Sequence, residues 1–476
     1  MLRPTSPVTG LHRRRLGPLE VLAQSVAATA PAAAMATSPG QAFALAGAPP
    51  SALAYLAATV VVLLVSSSVG QFSRRMVAPG SLYSFTAKGL GGTAATIAGG
   101  ALVVGYGFLV AGALTGAATS AVALVEKVAP GVPGPVPVVV GIVLLGVLVA
   151  GFSVRGAGVS ARLGLALEVV SISIVVVVLG IALAAAFSRY GVPHPSVVLD
   201  GGGHPFGPGG QGLLLAVTAF VGFESAGSLA SESRRPLSVV PRVVRWTALT
   251  SGLLYVLAAA AQAVVFAGTP GLGGAPLPLA AAVSVLADPT LAAVLELGIL
   301  ASFVGCASGS LTALVRLVFT MGREGVVPRA LGRTGPRGTP ALAVVVATAL
   351  AVAVPAGVLL LGVSPADTLR GLLVVGTCGY VGGYVLVCLA APFFLHRIGE
   401  LTTPPVVVAA VASLALVAVL GACTAWAVSA GGGWVLTASA LLALGVVRAV
   451  VLRVRRPSLV AGIGLYDETS RRDVLS

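Results

Sequence analysis

The chain has 476 residues, 57% of them apolar and only 9% charged, with a net charge of +14 and a mean hydropathy of +1.04. A water-soluble domain needs about 25% charged residues to face its solvent, so a soluble globular fold is excluded and lipid must surround most of the surface. A nucleic-acid footprint would cover one face or stripe with basic groups, whereas these arginines lie in short clusters between long apolar segments, so no nucleic-acid partner is expected.

A membrane-spanning helix takes about 20 predominantly apolar residues. Windows of that size predict twelve spans, near 16–46, 51–72, 93–125, 135–153, 161–187, 211–231, 243–268, 291–320, 340–362, 368–395, 403–430 and 433–452. The predicted fold class is therefore an all-α integral membrane protein. Most spans are Val, Leu, Ala and Gly throughout; the first and sixth are the least uniform. His12 to Arg15 followed by an apolar run and Ala32–Ala33–Ala34 imitates a secretory signal, but Glu20, Gln24 and Thr29 interrupt that run, and its removal would upset the charge alternation.

That alternation sets the topology. With the N-terminus inside, Lys127, Arg189 and Arg370 fall on the outside and 25 of the 28 Lys and Arg residues fall on or near the inside, as cytoplasmic loops require. Both termini are expected on the cytoplasmic side of the cell membrane. The chain divides into a tail (1–15), five spans (16–187), an extracytoplasmic loop (188–210), five more spans (211–395), spans 11 and 12 (396–452) and a second tail (453–476). The stretch after Pro457 is polar and expected to be disordered.

Catalytic and metal chemistry are poorly served. Cys306, Cys378, Cys388 and Cys423 lie in apolar stretches without metal-ligand spacing and read as small packing residues. His194, Asp200 and His204 share the 188–210 loop and could ligate a metal, but their irregular spacing among Gly and Pro reads as a linker. With His12 and His396, the histidines sit in loops or at span edges, and neither HExxH nor GxSxG occurs. No enzymatic reaction, metal or cofactor is expected.

Spans 1 and 6 carry the functional signal. Ala28–Thr29–Ala30–Pro31–Ala32 puts a proline mid-membrane, where it removes a backbone hydrogen bond. Phe220–Val221–Gly222–Phe223–Glu224 puts a glycine and an acid at the same depth of span 6. Non-helical backbone survives there only where it lines a cavity, and breaks at matching places in two halves point to a transporter's binding site. A half-helix that begins mid-membrane offers N–H groups to a carboxylate, and one that ends there offers carbonyls to an ammonium. Pro31 alone would be read as a kink in a packed helix; paired with span 6 it is read as a site. A channel would need neither the repeat nor the paired breaks.

Three stretches then resemble one family. They are Arg74–Arg75 with Ala78–Pro79–Gly80–Ser81–Leu82–Tyr83; Ala219 to Ser225 continuing through Ser231–Glu232–Ser233–Arg234–Arg235–Pro236 to Pro241–Arg242; and Arg316 to Met321–Gly322–Arg323–Glu324–Gly325 and Pro328. Together they resemble the amino acid–polyamine–organocation permeases over residues 16 to about 400. The resemblance implies a LeuT-like inverted repeat, helices 1–5 repeated upside down by 6–10, and alternating-access transport of an amino acid. It implies that Ala28, Thr29, Ala30, Pro31 and Ala32 form the substrate-carboxylate side. Phe220, Val221, Gly222, Phe223 and Glu224 would bind the amino group, with Phe223 as a lid. Tyr106 and Ser302 are candidates for the pocket wall, with core packing as the alternative. Two departures stand out: alanines replace the family's helix 1 glycines, and Glu168 stands in helix 5 where proton-coupled members often place a lysine.

An intramembrane carboxylate marks function by default, since burying its charge costs several kcal/mol unless it is protonated or paired. Glu168 or Glu224 is therefore expected to carry a coupled proton; a structural hydrogen bond to broken-helix backbone is the alternative for Glu224. Glu20 and Glu296 lie nearer span ends and are expected to be interfacial. The expected partners are a small-molecule amino acid or amine, a proton and membrane lipid; polyamine carriage or amino acid exchange are the alternatives.

Overall fold

Lipid offers no partner for peptide N–H and C=O groups, so each segment must close its own hydrogen bonds, and the chain does so by coiling nearly everywhere. The computed structural model describes residues 14–46, 51–128, 134–203, 206, 210–272, 275, 277–335, 338–430 and 432–464. His12, Arg13 and His204 lie outside the described residues.

The helices run in order as α1 (Pro18–Thr29), α2 (Pro31–Ala46), α3 (Ala52–Ser73), α4 (Leu82–Leu90), α5 (Gly92–Val128), α6 (Val136–Arg155), α7 (Ala157–Tyr190), α8 (Pro195–Asp200) and α9 (Gln211–Thr218). They continue as α10 (Pro236–Gly268), α11 (Pro278–Leu286), α12 (Pro289–Glu324), α13 (Ala341–Leu360), α14 (Pro365–Arg397), α15 (Thr403–Ala430), α16 (Gly433–Arg455) and α17 (Pro457–Ala461). Among the described residues there is no strand, only an isolated pairing of Leu16 with Ser233.

Eleven of the twelve expected spans are helices long and apolar enough to cross a membrane, α1 and α2 together forming the first. The sixth departs from the expected helix over 211–231. It is α9, a run of turns over 219–224, and a 3-10 segment (Ser225–Glu232). The disordered tail expected after Pro457 is not what the described part shows: α17 follows directly, Val460 and Ile463 are buried, and the Gly464 N–H donates to Glu324. The described part, residues 457–464, is itself apolar, and burial of Val460 and Ile463 favours its folding back onto the bundle.

Helices α5, α12 and α14 form the centre, α5 packing along both of the others. Around them α6, α13, α15 and α16 turn Leu, Val and Ala outward, with Leu144, Val147, Leu414 and Leu444 exposed, as lipid-facing surfaces should. In the middle of the bundle, α1 lies against α12 and against the 3-10 segment.

Two glycines permit that contact. A Cβ on Gly309 of α12 would stand 2.8 Å from the Ala28 nitrogen, and one on Gly222 would stand 2.8 Å from the Ala28 carbonyl oxygen, with Gly222 at φ +95°. Ala28 is thus held between two positions that have no room for a methyl group. Gly222→Ala and Gly309→Ala are each expected to destabilise the fold by about 1–3 kcal/mol through overpacking. Thermal unfolding in detergent should show this against Gly180→Ala, where nothing stands within 4 Å and the midpoint should hold or rise.

Candidate functional site

The break in the first span is local chemistry. Proline disfavours the right-handed helical region for the residue before it, and Ala30 ahead of Pro31 takes a left-handed conformation, φ 48° and ψ 61°. For an alanine this costs about 1–2 kcal/mol. Pro31 then opens α2, a position where its missing N–H matters least.

The first donors of α2 are capped by other helices. Ala32 N–H donates to Glu168 Oε1 at 2.6 Å, and Ala33 N–H donates to Ser302 Oγ at 2.9 Å. Ser302 in turn donates to Glu168 Oε2 at 2.7 Å, and Ala34 N–H returns to the Ala30 carbonyl at 3.0 Å. Glu168 from α7 and Ser302 from α12 together do what an Asp or Ser N-cap does within one chain segment, and the carboxylate also suits the positive helix end. Both side chains are fully buried, and no cation pairs with Glu168 among the described residues.

The second break mirrors the first. Glu224 follows the turn at Gly222 and is fully buried; it accepts from Tyr106 of α5 at 2.8 Å and from Tyr384 of α14 at 2.6 Å. Tyr106 and Tyr380 meet edge to face at 4.8 Å, while Phe223 tilts against Tyr384 at 5.6 Å. Phe220 meets Tyr255 edge-on at 4.8 Å.

Between the breaks lies a small cavity of about 40 Å³. Of the expected residues, Thr29, Ala30 and Val221 line it. Ala28 and Ala32 flank the same break from within the packed backbone. Phe220, Phe223, Glu224, Tyr106 and Ser302 stand behind the wall, with Tyr106 lining a second, smaller space beside Pro79, Ser81 and Ser228. Residues that the sequence did not single out complete the first cavity: Ala33, Thr37, Ser38, Gln41, Thr218 and Phe303 among them.

One end is closed below the breaks. Ser25 Oγ donates to the Phe223 carbonyl, Ser225 Oγ to the Gln24 carbonyl at 3.2 Å, and Gln24 Nε2 to the Gly309 carbonyl at 2.8 Å. Beyond these, Arg316 of α12 binds Glu232 at 2.8 Å, the two side chains 4% and 9% exposed, and Leu16 exchanges backbone hydrogen bonds with Glu232 and Arg234. In the peripheral groups, Glu20 pairs with Arg162 and Glu296 with Lys127, at span ends as expected. His194 Nδ1 meets Ser196 Oγ at 2.9 Å and Asp200 accepts from Gly202; among the described residues no group of three such ligands forms.

The profile of the amino acid permease family matches residues 23–452. The chain belongs to that family. The permease is 28% identical over 334 residues to the branched-chain amino acid permease BcaP of Lactococcus lactis subsp. cremoris, a match spanning 64% of this chain and 68% of the relative. It is 30% identical over 146 residues to the D-serine/D-alanine/glycine transporter of Escherichia coli K12, 30% of each chain. It is 23% identical over 310 residues to the low-affinity putrescine importer PlaP of the same strain, 63% of this chain and 65% of the relative. In fold it is similar to Mhp1, a nucleobase-cation-symport-1 family transporter solved in a closed conformation with bromovinylhydantoin bound. That likeness has a TM-score of 0.52 at 14% identity and covers 100% of this chain and 99% of that one. The permease is a multi-pass membrane protein and a secondary amino acid transporter with a LeuT-like fold, as the motifs around Arg74, Glu224 and Arg316 implied.

Removing one partner of a buried ion pair leaves an uncompensated charge at a cost of about 3–5 kcal/mol. Arg316→Gln should therefore lower the thermal midpoint sharply, and the double variant with Glu232→Gln should recover most of the loss. A double-mutant cycle in detergent checks this.

Proposed function

We propose that the permease imports an aliphatic amino acid by proton-coupled symport, with the substrate between the two breaks and Glu168 as the proton carrier. One observation carries the reading: the Glu168 carboxylate occupies the donors that a substrate carboxylate would seek, Ala32 N–H directly and Ala33 N–H through Ser302. Protonation turns one Glu168 oxygen into a donor and weakens its hold on these groups, freeing them for the substrate. Proton and amino acid would then load together. After release on the other side, the deprotonated carboxylate would return to the helix end.

The cavity supports the substrate class. Ala30, Ala33, Leu109, Val221, Phe303 and Leu373 give it an aliphatic and aromatic wall, Thr37, Ser38, Gln41 and Thr218 its polar groups, and no lining residue is acidic. A diamine would need a second anion, so the uncharged wall favours an amino acid such as those named for BcaP over the putrescine named for PlaP. Glu224 lies behind the wall on two tyrosines and serves here to hold the span 6 turn in place. Alternating access would move α1–α3, the span 6 pieces and α10 against the rest. The cell membrane with both termini cytoplasmic is the setting that the arginine distribution favours.

Uptake of a labelled amino acid panel into proteoliposomes under an inward proton gradient tests the reading. Accumulation of Leu, Ile or Val that collapses with a protonophore and ignores sodium is expected; uptake of amines alone would overturn the substrate class. Glu168→Gln should abolish gradient-driven accumulation while leaving amino acid exchange intact. Loss of both activities, or of neither, would remove Glu168 from the coupling role.

A further inference from the structure

Away from the transport path, the ends of α3 and α10 form a groove of about 580 Å³ whose walls include Arg74, Arg242, Arg245, Trp246 and Leu249. The three arginines are exposed, and their guanidinium groups hold no carboxylate or carbonyl among the described residues. At the same end, Arg75 pairs with Glu400 and Arg316 with Glu232. Nothing in the transport reading uses the free three.

Helical register explains what they face. Arg242, Arg245, Trp246 and Leu249 recur at three- and four-residue spacing, so they share one side of α10. The same stripe continues as Leu253 and Leu257, both more than half exposed. On α3 the exposed positions Leu53, Leu56, Val60, Ser67 and Arg74 form a matching stripe. Since α3 and α10 pack along each other, two lipid-facing tracks converge at one end on three guanidiniums. The order along α10, cationic then indole then aliphatic, follows the depth profile of a bilayer leaflet: phosphates outermost, Trp at the interface and acyl chains within.

We infer that this groove is a binding site for one anionic phospholipid, its phosphate held by Arg74, Arg242 and Arg245 and its acyl chains laid along Leu249, Leu253 and Leu257. Guanidinium forks match phosphate oxygens in pairs, and three cations together favour a headgroup with net negative charge over one whose own ammonium offsets its phosphate. A free phosphate would satisfy the arginines but would have no use for the indole and the aliphatic track, so the lipid is the occupant that uses the whole groove.

Bromine-labelled lipid quenches indole fluorescence at contact, and Trp246 can be made the only tryptophan by Trp426→Phe and Trp434→Phe. The full chain in nanodiscs with a minor fraction of brominated phosphatidylglycerol should lose far more Trp246 emission than with the same fraction of brominated phosphatidylcholine. Arg74→Gln, Arg242→Gln and Arg245→Gln should each reduce the preference about fivefold, from the attraction of a basic side chain near an anionic leaflet. Equal quenching by the two lipids in the chain with all three arginines would overturn the proposal without any arginine variant. Displacement of the quenching lipid by millimolar inorganic phosphate at constant ionic strength would also overturn it, by making the site one for a free anion.

Discussion

Everything at the centre of this molecule depends on finishing the hydrogen bonds of two helices that stop inside the membrane. An unsatisfied amide in that medium costs several kcal/mol, so each broken end needs a dedicated partner. At the first break the partners are a carboxylate on α7 and a hydroxyl on α12. At the second, the turn around Gly222 is secured by Glu224 between two tyrosines on α5 and α14. Four long helices are thereby tied to two short backbone stretches, and the placement of Ala28 between Gly222 and Gly309 brings the two stretches together.

Those ties divide by direction. Below the breaks, toward Leu16 and Glu232, contacts run between the two broken spans and α12: an ion pair, backbone hydrogen bonds, and hydrogen bonds from Ser25, Ser225 and Gln24 to carbonyls. Above, toward Thr37 and Gln41, the named contacts are neutral: Ser38 meets Tyr55 and the Leu215 carbonyl, and Gln262 donates to the Met35 carbonyl. The end toward Leu16 thus adds an ion pair to its neutral hydrogen bonds, and the contacts named at the other end are neutral.

Much of this was legible in the sequence. Span positions follow from length and hydropathy because lipid imposes both, and the breaks follow from Pro31 and from Gly222–Phe223–Glu224, whose side chains disrupt helices by their own chemistry. What local pattern does not encode is pairing across distance. Glu168 was marked by its burial cost, yet its partners Ala32 and Ser302 lie 136 and 134 positions away. Tyr384 carries a weak signal, a Tyr380–Tyr384 pair one turn apart in an apolar span, and Phe303 carries none. The expected Phe223 lid is not among the residues that line the cavity and lies against Tyr384. The left-handed Ala30 had its cause in view, the proline after it, although alanine does not advertise the conformation as glycine would.

The cap on α2 has a kinetic consequence. A carrier whose helix end is completed only by its cargo meets a barrier whenever it turns without cargo, and such a carrier is confined to one-for-one counterflow. In this permease the chain's own Glu168 and Ser302 complete the end of α2. On the symport proposed above, that barrier would be lowered from within, and a return stroke without cargo, the step on which net accumulation depends, would become available to it.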